Sequence, residues 1–487
     1  MSDFQYIQST ITRDKDYPAR QFAVDVLTRV LRGTLYREIP NGFHDEKNGA
    51  GEYVPIRHRR PSVRHNLCRT VVDDSVSLLF SEGHFPDIQI DDETSRKTLA
   101  AIVKESKVNA LMIDAATKGS VGSVAMLMRV LEGRLFFDAM ETQYLTPVWK
   151  ATAPDTLEKV IERYKVKGSD LAAAGYTGLD DAEDYWLHTE WDEAQELRYA
   201  PYSVKDAKEK DFTPTIDKKR TTSHKLGTVP MVWIRNLPGG DAIDGEPTFP
   251  TEAIDTQIEL DYQLSQAGRG LKYSSDPLLM IKEPASPGGE LVKGAGNALI
   301  VQDKGDAKLL EISGSAAAAV IEYCKYLRQL ALEGMHGNRA DADKMSAAQS
   351  GRAMELMNQA LIWLADRLRI SYGEGALLQL VKLIALASRK YKLKVDGVAV
   401  APISDKPVAL NWPSWYAPTY SDRQAMATTL QTHTASGHMS RETAVKSIAE
   451  DYDIEDVKAE IAQIEKEAAF DAEMNAKSKP LQQQPNL

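Results

Sequence analysis

Cysteine is nearly absent. Cys68 and Cys324 are the only two in 487 residues, which excludes a disulfide framework, fits no metal-ligand spacing and points to a reducing compartment. Positive charge is also short, with 59 Lys and Arg against 70 Asp and Glu and a formal net charge of −11. That balance argues against a general nucleic-acid coat, though less against a protein that must let DNA slide past. No apolar run approaches the ~18–20 residues a membrane span needs. The opening MSDFQYIQSTITRDKDYPAR lacks the apolar core of a signal peptide. Assembly in a cytoplasm, with no membrane partner, is the expectation.

Catalytic signatures are missing as well. There is no G-x-x-x-x-G-K-S/T, and GGELVKGAG carries its glycines and lysine in the wrong order for a phosphate cradle. There is no H-E-x-x-H, no paired C-x-x-C and no G-x-S-x-G, and the nine histidines are scattered. Asp73 and Asp74 in VVDDSV offer half of a two-metal site; a solvated helix face explains them more simply, because no partner motif stands out. The expectation is a non-enzyme with no cofactor and no metal. A metal-dependent DNA-processing enzyme using Asp73 and Asp74 is the alternative.

What is present is long and patterned. The length suggests two to four domains, and the periodicities give an α+β chain. Phe22, Val26 and Val30 recur at helical spacing, and so do Leu67, Val71, Val72, Val76 and Leu79, with a stop expected at Gly83. From about 120 to 240, short runs rich in β-branched and aromatic residues predict a meandering antiparallel sheet. Residues 250–269 turn helical behind a cap at Thr251, with Ile254, Ile258 and Tyr262 on one face. Short strands follow to 313, then a helix over 314–333 with Val320, Cys324, Leu327 and Ala331 in one stripe. The longest helical pattern runs from Lys344 to about Lys392 and should kink at Gly373 and Gly375. An acidic helical region with a helix start at Ser440 fills 420–470, and NAKSKPLQQQPNL reads as disordered.

Three local features invite a functional reading. GMHGNRADADKMSAAQSGRA, residues 334–353, breaks two helices with two closely spaced glycines, Gly334 and Gly337, and two aspartates, Asp341 and Asp343; helix-ending punctuation and function are equally good explanations. Arg57, His58, Arg59, Arg60, Arg64, His65 and Arg69 fall within thirteen residues containing no acid. They suit a phosphate or acidic-partner contact, or equally a surface salt-bridged to a neighbouring subunit. The aromatics of NWPSWYAPTY (Trp412, Trp415, Tyr416, Tyr420) resemble a base-stacking platform, but the prolines make an extended connector anchored to a core the better reading.

The order of segments after 250 resembles the portal proteins of tailed double-stranded DNA bacteriophages. The resemblance lies in a helix, a β-rich excursion, a second helix, a break ending QSGRAMELMNQAL, and then a very long helix. Ser350, Gly351 and Ala353 match the small-polar opening of that long helix. LNWPSWYAPTYSDRQAMA, GHMSRETAV and VKAEIAQIEKE match the family's extended Trp-containing stretch, its turn and its acidic helix. An early helix, a basic run and a helix ending SLLFSEG agree in outline, although the early tyrosine-rich signature is weakly kept in RVLRGTLY.

The resemblance implies a portal fold: a mixed wing over 1–249 and 344–420, including one very long kinked helix, and two stem helices at 250–269 and 314–333. It further implies a small β-rich clip at 270–313, a tunnel loop at 334–343 and a helical crown with tail over 421–487. It implies a ring, commonly of twelve subunits, at one capsid vertex of the virion, assembled in the bacterial cytoplasm. Double-stranded DNA would pass through it in packaging and ejection. The terminase large subunit, the head-tail adaptor and the major capsid or scaffolding protein would be its partners; another capsid or tail scaffold subunit is the alternative to the portal itself. His336, Asn338 and Arg339 would then be the DNA-facing tip, offset by Asp341 and Asp343, with Arg57, Arg59, Arg60, Arg64 and Arg69 as a basic cluster.

Overall fold

The computed structural model describes residues 2–275, 278–284, 301–310, 314–337, 351–416, 419–449, 454 and 456–477. They fall into two compact units: Met1–Ala340 with Asn358–Trp415, and Asp341–Met357 with Tyr416–Leu487.

In the first unit, α1 (Asp3–Thr10) is held by a capping box between Ser2 and Gln5. Helix α2 (Ala19–Leu31) follows Pro18, and α3 (Leu67–Phe80) is capped by Asn66, whose side chain accepts the Arg69 N–H at 3.0 Å. The expected α3 stripe, Leu67, Val71, Val72, Val76 and Leu79, is at most 4% exposed. The helix ends at Phe80, with Ser81 rather than Gly83 closing it. Between α2 and α3 the chain forms no α-helix, only a single 3-10 turn at Ile56–His58. A short parallel pair, β1 (Asn41–Gly42) and β2 (Arg59–Arg60), carries the start of the basic run. Strand β3 (Asp87–Ile90), α4 (Glu93–Glu105) and α5 (Val108–Gly119) complete the N-terminal layer.

The region from 120 to 240 is antiparallel, as its alternation predicts. Strand β4 (Ser123–Leu131) pairs with β5 (Arg134–Glu141). A second sheet runs through β6 (Leu145–Lys150), β7 (Ala153–Lys167), β8 (Asp184–Trp191) and β9 (Gln195–Arg198), with the short helix α6 (Gly168–Ala173) between β7 and β8. The two-residue strands β10 (Tyr202–Ser203) and β11 (Thr222–Ser223) pair with β8 and β9. Strand β12 (Met231–Arg235) joins β4 on its free edge. The continuous apolar run at the start of β4 has a physical cause. Val124, Met126 and Met128 face the main helical core, while Ala125 and Leu127 face a second core with Leu145, Val160, Trp191 and Trp233. A strand buried on both faces cannot alternate.

Helix α7 (Thr251–Ser275) packs along α8 (Gly314–Gly334), and the antiparallel strands β13 (Leu278–Pro284) and β14 (Val301–Leu310) lie between them in sequence. Thr251 is the first helical residue of α7, not the residue before it. Helix α9 (Gly351–Met357) belongs to the second unit. The long helix expected from Lys344 is interrupted at Asn358; residues 344–350 lie outside the described residues. It proceeds as α10 (Gln359–Leu368), a π-helical segment Arg369–Leu377 and α11 (Leu378–Lys390). The anticipated kink is thus a widened turn. A Cβ on Gly373 would come within 2.4 Å of the Trp412 indole, so a glycine is required where Trp412 docks.

Arg369 lies over Trp415 at 3.3 Å and over Trp412 at 4.7 Å, and burial pulls its pKa down to about 10. Those two tryptophans anchor the connector to the core. Gln359–Lys390 is also long enough, and contains a window apolar enough, to cross a membrane by composition alone, although charged residues interrupt it. Half of that window is buried inside the chain, where Leu364, Leu368, Leu380 and Ile384 build the core. Two more short pairings close the unit: β15 (Lys394–Val395) with β16 (Val398–Ala399), and β17 (Val408–Asn411) with β3.

In the second unit α12 (Tyr420–Ala435) starts from a Thr419–Asp422 capping box, and α13 (Arg441–Ile448) from Ser440, whose hydroxyl accepts the Thr443 N–H at 3.1 Å. Helix α14 (Val457–Lys477) takes in the first three residues of the segment expected to be disordered; 478–487 lie outside the described residues.

One carboxyl in the second sheet generates a pH prediction. Burial pushes Glu162 on β7 up to about 7, with Arg198 and Arg129 pulling it back. A carboxyl whose folded pKa is raised contributes stability below its unfolded value of 4.5, and that contribution is lost as pH climbs through about 7. Glu162→Gln should therefore raise the melting temperature at pH 8 by about 1–3 °C and leave it nearly unchanged at pH 4.5. Asp261, pushed up to about 6, acts in the same sense in both proteins and cancels in the comparison. Equal shifts at both pH values in thermal melts would contradict this.

Candidate functional site

The basic run is laid over one face of α7 and pinned there. Gln257, Asp261 and Ser265 recur every four residues, so their side chains line one stripe of the helix, and all three are buried. The Cys68 N–H donates to Gln257 Oε1 at 3.0 Å, the His65 N–H to Asp261 Oδ1 at 2.8 Å and the Val63 N–H to Ser265 Oγ at 3.0 Å. Tyr36 donates its hydroxyl to the other Asp261 oxygen at 2.8 Å. The Tyr262 hydroxyl sits 3.0 Å from the carbonyls of both Arg57 and Arg59. Burial pushes Asp261 up to about 6, while its His65 and Tyr36 donors and the charge of Arg64 favour the ionised form. None of these anchors except Tyr262 was singled out from sequence, yet the four-residue recurrence of Gln257, Asp261 and Ser265 was there to be read.

The arginines of the run separate into three kinds. Arg59 is 1% exposed, and its guanidinium donates to the Val54 carbonyl at 2.6 and 2.8 Å and to the Phe43 carbonyl at 3.3 Å. It ties the loop 43–54 to β2 and is not part of an exposed basic face, because all its donors point inward. Arg69 on α3 is spent on Asp73, 2.8 Å away and one turn on. Arg57, Arg60 and Arg64 are exposed and form no ion pair among the described residues. His58 stacks on Tyr6 with ring centroids 4.3 Å apart. His65 is held low by burial and by Arg328 of α8. Asp73 being engaged, Asp74 stands beside it with its pKa raised by burial and by Asp73. Among the described residues no group of three or more His, Cys, Asp or Glu side chains is arranged to hold a metal ion.

The end of α8 is a left-handed cap. The Gly337 N–H donates to the Leu332 carbonyl at 2.8 Å and the His336 N–H to that of Glu333 at 3.4 Å. The left-handed position in this cap is filled by His336 (φ 55°), not by either glycine of the pair expected to end the helix. Gly337 is needed for another reason: a Cβ there would meet Val71 of α3 at 2.7 Å and Leu332 at 2.8 Å. His336 itself is exposed; Asn338 and Arg339 lie outside the described residues. Gly337→Ala should therefore cost about 1–3 kcal/mol, whereas His336→Gly should be neutral or stabilising by up to about 1 kcal/mol. Chemical denaturation of both variants checks the pair, and the reverse order would refute the cap.

Three comparisons bear on identity. No curated protein sequence matches the chain. Among solved structures, the neck of an empty GTA particle computed with C6 symmetry aligns over 78% of this chain and 88% of that one, at 10% identity and a TM-score of 0.40. The model of the family described as phage portal protein, SPP1 Gp6-like, matches residues 42–474, a span that runs from β1 into α14. The chain belongs to that family of phage portal proteins.

Proposed function

We propose that this chain is a structural virion subunit that closes with copies of itself into a ring at one capsid vertex, around a passage for double-stranded DNA. The observation that supports this most directly is the second apolar face of α8. Cys324, Leu327 and Ala331 are buried inside the chain, while Tyr323, Tyr326 and Leu330, which share the neighbouring stripe of the same helix, are 42–60% exposed. A helix apolar on both faces belongs inside something larger than one chain. Head-to-tail contacts that close supply that surrounding. At about 1.5 Å per residue, the 25 residues of α7 and 21 of α8 span about 30–40 Å, a usable wall height for a channel.

Within this reading the segment 270–313 docks the terminase motor and later the head-tail adaptor, and the N-terminal region meets the capsid or scaffolding protein. The chain from His336 onward carries the DNA-facing tip at His336, Asn338 and Arg339. One arginine per subunit becomes a ring of positive charge, enough to guide a duplex without the salt-dependent grip of many phosphate contacts.

Particle imaging of the purified protein is expected to show a closed ring with a central hole of about duplex width. The double variant Tyr326→Asp, Leu330→Asp should give monomers, with at most about 1 kcal/mol lost in the monomer's own stability because both side chains are exposed. A wild-type chain that stays monomeric or dimeric at high concentration overturns the ring. Deleting 338–343, which leaves the α8 cap in place, should spare ring assembly and impair DNA packaging or retention. Normal packaging by such particles would remove the loop from the DNA path.

A further inference from the structure

Thr34, Arg37, Arg60, Ser62 and Arg64, with Phe43 at the floor, line a concavity of about 430 Å³ between the end of α2 and the pinned loop. We propose that this cavity is a phosphate-binding site in which the guanidinium groups of Arg37, Arg60 and Arg64 converge on one phosphate group. The reading does not depend on the ring: a monomer would carry the same cavity.

Charge is the first argument. The chain is acidic overall, yet these three arginines form no ion pair among the described residues. The carboxylates next to them are already engaged. Glu38 pairs with Arg29 at 3.0 Å, Asp45 accepts the Gly42 N–H at 2.7 Å, and both oxygens of Asp261 are taken by Tyr36 and His65. Three guanidinium forks exceed what one carboxylate needs, since a carboxylate is satisfied by a single bidentate arginine; a phosphate has more acceptor oxygens and more charge to spread over them.

Preorganisation is the second. The β1–β2 pair sets Gly42 opposite Arg60, Ser265 fixes Val63 and Asp261 fixes His65, so the backbone of Arg60 is held by its strand pairing and that of Arg64 on both sides. The Arg37 N–H closes a turn on the Thr34 carbonyl at 3.0 Å, fixing the opposite wall. Side chains rooted in fixed backbone lose less freedom when they close on an anion. Thr34 and Ser62, which also line the cavity, carry hydroxyls that can act as neutral donors.

Two sources of the phosphate share this chemistry, a free phosphate ion or ester and the phosphodiester of a nucleic-acid backbone. The test uses the full-length chain with inorganic phosphate and, separately, a short DNA duplex. Melting temperature and titration calorimetry are read at constant ionic strength set with sodium chloride. Expected are a saturable response to at least one probe, a loss of affinity of about tenfold or more in Arg60→Gln with Arg64→Gln, and no change in Arg69→Gln, whose side chain is spent on Asp73. Arg64→Lys keeps the charge and loses the fork, so it should fall between wild type and the double variant. A response to phosphate alone assigns the free ion; a response to the duplex, competed by phosphate, assigns the backbone. If the double variant does not fold, Arg37→Gln, an exposed residue, carries the same comparison. No saturable response to either probe, or an equal response in the variants, overturns the site. So does a change of oligomeric state without any phosphate binding, which would give the arginines to a neighbouring protein.

Discussion

Asp261 is a carboxylate that water cannot reach, and the N-terminal layer is arranged around meeting its needs. An ionised group in such a place is tolerated only when donors surround it. Here the donors are the His65 backbone and the Tyr36 hydroxyl, which come from two different loops. Satisfying one buried charge therefore fixes how the segment after α2 and the segment before α3 approach α7. Gln257 and Ser265, one turn to either side, repeat the device with Cys68 and Val63. A segment that would otherwise be a surface loop is thereby held in register on a helix over four residues of pitch at a time. The same helix packs on α8, so whatever orients α7 also orients the apolar face that α8 leaves uncovered.

Periodic elements were legible in the sequence because burial repeats at a helix's or strand's own period. The α3 stripe, the antiparallel meander and the helix pair around the β-rich excursion all follow from that, and the start at Ser440 was legible because a side chain satisfies a backbone N–H within one turn. What could not be read were the contacts between distant residues. Arg59 looks like its neighbours in a basic run, and only the carbonyls of Val54 and Phe43 distinguish it. Gly373 and Gly337 look like conformational punctuation; each is instead a place where a Cβ would strike another element, Trp412 in one case and Val71 in the other. A glycine read alone gives its freedom, not what presses against it.

The interrupted helix illustrates how local and distant demands are reconciled. Trp412 returns to the core from the extended segment after α11 and needs room against the helix. The π-helical turn at Arg369–Leu377 widens the spiral there, and Arg369 closes over Trp415 and Trp412 with its guanidinium face. Stacking on the two indoles offsets part of what this guanidinium loses by burial, which still draws its pKa down to about 10. The aromatic cluster thereby serves as an anchor for the connector, which a stacking platform for bases would not allow for Trp412 and Trp415.

Net charge and local charge then answer different questions. A formal −11 governs solubility and long-range steering, but at physiological salt a charge is felt over only about 8 Å. The fold has engaged donors of two arginines of the run, Arg59 with carbonyls and Arg69 with Asp73, and has committed oxygens of the acids Glu38, Asp45 and Asp261 to other partners. The remainder is a small positive concavity on an acidic protein. A loop that merely happened to be basic would scatter its guanidinium groups into solvent, each of them hydrated and mobile. Pinning the backbone on α7 makes Arg60 and Arg64 share one cavity with Arg37, and it is this shared placement that distinguishes a candidate anion site from a charged surface.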